Sequence, residues 1–68
     1  MFFVVEIQKL ADGSWHNITT QHETQAEAES KYYTVLSYAA VSENLSHGAI
    51  LFDDKGVYFM RKVYNNVG

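Results

Sequence analysis

The run Phe2-Phe3-Val4-Val5-Glu6-Ile7 carries apolar side chains at both sets of alternating positions. A strand with one wet face alternates apolar and polar residues, so this one expects cover on both sides. Phe2 to Leu10 reads as a first strand that ends before Asp12-Gly13. That dipeptide tolerates the positive φ angles of a two-residue type I′ turn and predicts a hairpin into a second strand, Ser14 to Thr20. With such a turn Ile7 falls opposite Ile18, and Leu10 opposite Trp15. One face then holds Phe3, Val5, Ile7, His16 and Ile18; the other holds Phe2, Val4, Glu6, Leu10 and Trp15. Both are apolar, and no slip of register makes either of them polar.

Beyond the hairpin the period changes. Thr24 followed by Glu27 matches a capping box, and Glu23, Glu27 and Glu29 suit the positive end of a helix dipole. Ala28, Tyr32, Val35, Leu36 and Ala39 recur at helical spacing and form the stripe that faces the sheet. A weaker row of Ala26, Tyr33, Ser37 and Ala40 lies on one flank. The helix is expected to end near Val41 to Glu43, with Asn44 to Ser46 as a loop. His47 to Asp53 reads as a third strand, apolar on both faces through Ala49-Ile50-Leu51-Phe52. Asp53-Asp54-Lys55-Gly56 fits a type I turn closed by a left-handed Gly, leading into a fourth strand from Val57 to Tyr64. In that strand Val57, Phe59, Arg61 and Val63 share one face; Tyr58, Met60, Lys62 and Tyr64 share the other. These elements predict an α+β fold of ββαββ order, a four-stranded antiparallel sheet with one helix packed across one face. The pattern leaves the strand order open.

Length sharpens the two-sided reading. The 68 residues form a single domain, 1–68, with a tail at about 65–68 expected to fray. One helix covers one face of such a sheet, and chains this small bury only about 60% of the surface they expose when unfolded. With no Cys in the sequence there is no disulfide or thiolate metal site to compensate. The second face is therefore expected to meet another copy of the chain. Apolar residues at 47% place the sequence far from a disordered composition. A formal charge of −3 argues against a phosphate-binding surface. No apolar stretch reaches the roughly 20 residues of a membrane span, and the opening run lacks the basic region and small-residue cleavage site of a signal peptide. The expectation is a cytoplasmic protein.

Candidate chemistry is sparse. His16, His22 and His47 have none of the close spacings of zinc motifs. Asp53 and Asp54 are neighbours on a strand end, point to opposite sides and suit a turn's own hydrogen bonds. No Ser sits in a nucleophile elbow and no Gly-rich loop cradles phosphate. No catalytic, cofactor-binding or metal-ligating residue is assigned, and no cofactor is expected; an enzyme is the class least supported. The aromatic residues remain. Tyr32 belongs to the expected core, whereas Trp15 beside a turn suits a contact surface. The expected interface comprises Phe2, Val4, Leu10, Trp15, Tyr33 and Tyr58. Aromatic sheets also stack nucleic-acid bases, but they come with basic grooves, and Arg61-Lys62 is the sole adjacent basic pair here.

The segments Val4-Val5-Glu6-Ile7-Gln8-Lys9, Ala28-Glu29-Ser30-Lys31-Tyr32 to Ala39-Ala40-Val41-Ser42, and His47-Gly48-Ala49-Ile50-Leu51 resemble small proteins from phages and prophages of Gram-positive gut bacteria. The resemblance spans most of the chain but not the variable stretch from Val63 to Gly68. Its residues carry a fold without an attached mechanism. It implies a viral or mobile-element accessory protein, a class in which some members act by binding host machinery. The reading that follows is a non-enzymatic homodimer that contacts a host protein and inhibits a host factor. Sequestration of a small molecule such as a nucleotide signal is the alternative, and a minor virion or assembly component a third.

Overall fold

A computed structural model describes residues 1–66 of the chain; the last two expected tail residues, Val67 and Gly68, lie outside the described residues. Two hairpins flank one helix: β1 (Phe2–Lys9), β2 (Trp15–His22), α1 (Gln25–Ala39), β3 (Ser46–Asp53) and β4 (Tyr58–Asn65). The fold is ββαββ, with one helix packing against a four-stranded antiparallel sheet. Strand order is β2-β1-β3-β4, so the two strands with doubly apolar sequences are the two inner ones. An inner strand has both edges hydrogen-bonded to neighbours, which favours β-branched and aromatic residues on either side.

The helix covers the face that carries Val4, Ala49 and Leu51. These pack with Ala28, Tyr32 and Val35 in one buried cluster, and Phe2, Leu36 and Met60 lie against it. Thr24 caps the helix, its hydroxyl accepting from the Glu27 N–H at 3.2 Å. The sheet-facing stripe is the expected one. The helix stops at Ala39, earlier than its pattern suggests, and tightens through Val41 and Ser42, whose N–H groups donate to Tyr38 and Ala39 carbonyls at 3.2 Å. Asn65 completes β4, and the Asn66 N–H donates to the Leu45 carbonyl at 2.8 Å.

The first turn departs from expectation. Gly13 donates to the Leu10 carbonyl at 2.9 Å, Leu10 donates to the Ser14 carbonyl at 2.8 Å, and the loop is the three residues Ala11-Asp12-Gly13. A type I′ turn needs positive φ at both central residues, but only Gly13 has it, at 89°. Asp12 instead accepts from the Ser14 N–H and hydroxyl at 2.9 and 2.6 Å, which holds its carboxyl below the ordinary range. The added loop residue moves the register by one. Trp15 pairs with Lys9, Asn17 with Ile7, and Ile18 with Glu6. Every β2 side chain therefore changes face relative to β1. The second turn is as expected: Gly56 has φ 83°, and Asp53 accepts from the Lys55 and Val57 N–H groups at 2.9 Å.

A second departure lies in β4. Met60 pairs with Leu51 but Tyr58 with Phe52, leaving Phe59 as a bulged residue. The bulge brings the Phe59 ring to 5.8 Å from Phe2 and the Tyr58 ring to 5.2 Å from the Arg61 guanidinium. Tyr58 thus joins Arg61 and Val63, and Phe59 leaves them. No helix among the described residues is long and apolar enough to cross a membrane.

Candidate functional site

Alternation from Val4 and Leu51 assigns the remaining sheet face. Phe3, Val5 and Ile7 on β1, with Ile50 and Phe52 on β3, point away from the helix. Phe3 and Phe52 stack at 5.3 Å between ring centroids, with planes 27° apart. Trp15, Asn17, Thr19 and Gln21 flank this centre on β2; Tyr58, Arg61 and Val63 flank it on β4. The five central side chains are half-buried by one another, while Trp15 remains 60% exposed and Tyr58 56%. No Asp or Glu occupies a strand position of this face. Its two charges, Lys9 and Arg61, each lie over a ring: Lys9 Nζ at 5.6 Å from Trp15, Arg61 at 5.2 Å from Tyr58. An apolar centre with aromatic and cationic flanks is the composition of a contact surface rather than of a solvated one.

The expected interface set is divided by this arrangement. Trp15 and Tyr58 lie on the open face. Val4 is 1% exposed in the core and Phe2 packs against that core, so neither belongs to the open face. Leu10 is half-buried at the first hairpin, and Tyr33 stands on the helix flank, its ring centroid 5.4 Å from that of Tyr32 in an edge-on contact. The sequence reading passed over Phe3, Val5, Ile7, Ile50, Phe52 and Arg61. Their signal was the same apolar alternation, assigned to the wrong layer.

A shallow depression of about 390 Å³ opens on this side, lined by Ile50, Arg61, Lys62 and Val63. Next to it Gly48 pairs with Val63 so closely that an added Cβ would press on the Lys62 carbonyl and lie 2.5 Å from Val63 Cα. Glycine here is a packing requirement.

The helix-covered face holds the most concentrated polar chemistry. His47 is 6% exposed, and its Nε2 lies 2.6 Å from Glu6 Oε2. Gln8 donates to the same Glu6 oxygen at 3.1 Å and accepts from the Asn44 side-chain amide at 2.9 Å. His47 Nδ1 is buried without a partner. These groups are engaged with one another, and the depression on the opposite face touches none of them. His22 is engaged with the Thr20 hydroxyl at 2.9 Å. Among the described residues no three His, Cys, Asp or Glu side chains group as a metal site would. No family model, curated protein or solved structure matches the chain.

Proposed function

We propose that this chain is a non-enzymatic accessory protein of the phage type, acting in a bacterial cytoplasm by protein–protein contact. The observation that carries the reading is the open sheet face, with Phe3, Val5, Ile7, Ile50 and Phe52 at its centre and no carboxylate on its strands. Exposed apolar surface of this extent is costly to leave in water and is retained where a partner covers it. The host context rests on the resemblance to phage and prophage proteins, and inhibition of a host factor is the activity that context suits. The test compares Val5→Asp on the open face with Tyr38→Asp on the exposed helix side. Both variants should keep the helical circular dichroism of the parent. Val5→Asp should lose the host protein captured by the parent chain, and Tyr38→Asp should retain it. Unchanged capture by Val5→Asp refutes the reading.

The alternative is uptake of an anionic small molecule such as a nucleotide signal. What favours it is the depression with Arg61 in its lining. A thermal-shift panel of nucleotides separates the two, since only this alternative predicts a rise in melting temperature.

A further inference from the structure

We infer that the open face is covered by a second copy of this chain, packed face to face about a two-fold axis that runs parallel to the strands. The inference rests on the binding reading of that face and names its occupant.

Three observations point to a second copy. The first is the poverty of the core. Although 47% of the sequence is apolar, the fully buried apolar residues among those described are Val4, Ala28, Tyr32, Val35, Ala39, Ala49 and Leu51. Three of the seven are alanine. A core this thin leaves a 68-residue domain without disulfides marginal, so the open face needs cover while no host protein holds it, and a second copy supplies that cover.

Area is the second. Four strands of eight residues, at about 3.3 Å per residue and 4.8 Å per strand, span roughly 26 by 19 Å, or ~500 Å² of flat sheet. Side-chain relief raises the accessible area toward the ~800 Å² per partner of a standard interface. The face is large enough for a specific dimer and small enough to be fully covered by one.

The third observation is the layout of charge, which also selects the axis. Successive rows across the open face read Trp15–Lys9–Ser46–Asn65, Asn17–Ile7–Gly48–Val63, Thr19–Val5–Ile50–Arg61 and Gln21–Phe3–Phe52–Tyr58. An axis along the strands sets each row against its own reverse. Arg61 then meets Thr19 of the second copy, Val5 meets Ile50, Phe3 meets Phe52, and Ile7 lies over Gly48, which has no side chain. The polar β2 edge receives the guanidinium, and the two copies of Arg61 sit on opposite edges. The same axis sets Lys9 over Ser46 of the second copy, whereas an in-plane axis across the strands would lay Lys9 over Phe3 and Arg61 over Val63, setting both charges on apolar side chains. Aligned sheets cross at about 30°, which keeps the central rows matched while the corners diverge.

The experiment uses the full chain, which has no native cysteine. Sedimentation equilibrium at tens of micromolar should give twice the 7.8 kDa of one chain. Thr19→Cys/Arg61→Cys should join into a covalent dimer with a bis-thiol crosslinker of about 10 Å reach, the spacing of packed sheets. These positions are three strand spacings apart within one chain, about 14 Å, too far for an internal bridge. A covalent dimer from Arg61→Cys/Val63→Cys, with none from the first pair, overturns the axis. A 7.8 kDa mass for the parent chain overturns the pairing whatever the variants do. If host-protein capture by such a monomer still depends on Val5, the pairing falls and the binding reading stands. If capture does not depend on Val5, both fall.

Discussion

Gly48→Ala provides the sharpest test of the structure, because general propensity and local geometry predict opposite signs. Glycine inside a strand is ordinarily worse than alanine by about 0.5–1 kcal/mol, so the substitution would stabilise an open site. Here the new Cβ would lie 2.5 Å from Val63 Cα and closer still to the Lys62 carbonyl oxygen. Carbon atoms settle at about 3.5–4 Å, so β4 must retreat by roughly 1 Å next to Val63. A shift of that size stretches the β3–β4 hydrogen bonds on either side. Two such bonds at about 1 kcal/mol net each, together with lost contact around Ile50 and Val63, amount to a loss of roughly 2–4 kcal/mol. For a domain of this length each kcal/mol moves the melting temperature by about 4–8 °C, so a fall of at least ~10 °C is expected. Thermal unfolding followed by circular dichroism measures it, at equal chain concentration for parent and variant because association raises apparent stability. Gly56→Ala serves as the control: with φ at 83° and nothing within 4 Å, it incurs only the left-handed backbone penalty of about 1–2 kcal/mol. A Gly48→Ala chain that melts at or above the parent refutes the close β3–β4 approach.

Leu51→Ala empties the largest fully buried side chain and should lower the unfolding free energy by about 2–5 kcal/mol in a urea titration; a loss below 1 kcal/mol would mean the helix does not close over this position. Glu6→Ala and His47→Ala should be non-additive, with a coupling of about 1.5–3 kcal/mol from a double-mutant cycle, since losing Glu6 strands the buried imidazole and losing His47 removes the shortest bond to the half-buried carboxylate; additive effects would show that the 2.6 Å contact is not formed in solution. Burial, and then the neighbouring Tyr33 and Tyr64, raise the Tyr32 hydroxyl above its ordinary value of about 10. The unfolded chain therefore releases this proton first, and stability should decline as pH rises above about 10. In Tyr32→Phe that part of the alkaline decline should be absent, and identical pH profiles from pH 9 upward would contradict the burial of the ring.

Much of this molecule is determined locally and was legible from residues a few positions apart. The helix start is fixed by the Thr24 hydroxyl, the second turn by Asp53 and Gly56, and the helix stripe by the spacing of Ala28, Tyr32, Val35 and Ala39. The doubly apolar character of β1 and β3 was legible too, but their place at the centre of the sheet was not, because strand order depends on pairing between distant segments. Other features depend on groups far apart in sequence. A single extra loop residue at Ala11 turned Trp15 and Ile18 to the other faces, because Asp12 keeps a negative φ and only Gly13 takes the positive one. The bulge at Phe59 did the same for Tyr58, through an aromatic contact with Phe2 across the sheet. The choice of covered face was also tertiary. Both faces are apolar, and the helix seats where Ala28, Ala39 and Ala49 let the backbones approach, which consigns Val4 to the core and leaves Val5 outside. Short-range chemistry thus determined the elements, their order along the chain and the presence of a second apolar face. Which residues form that face depended on where one helix could pack most closely.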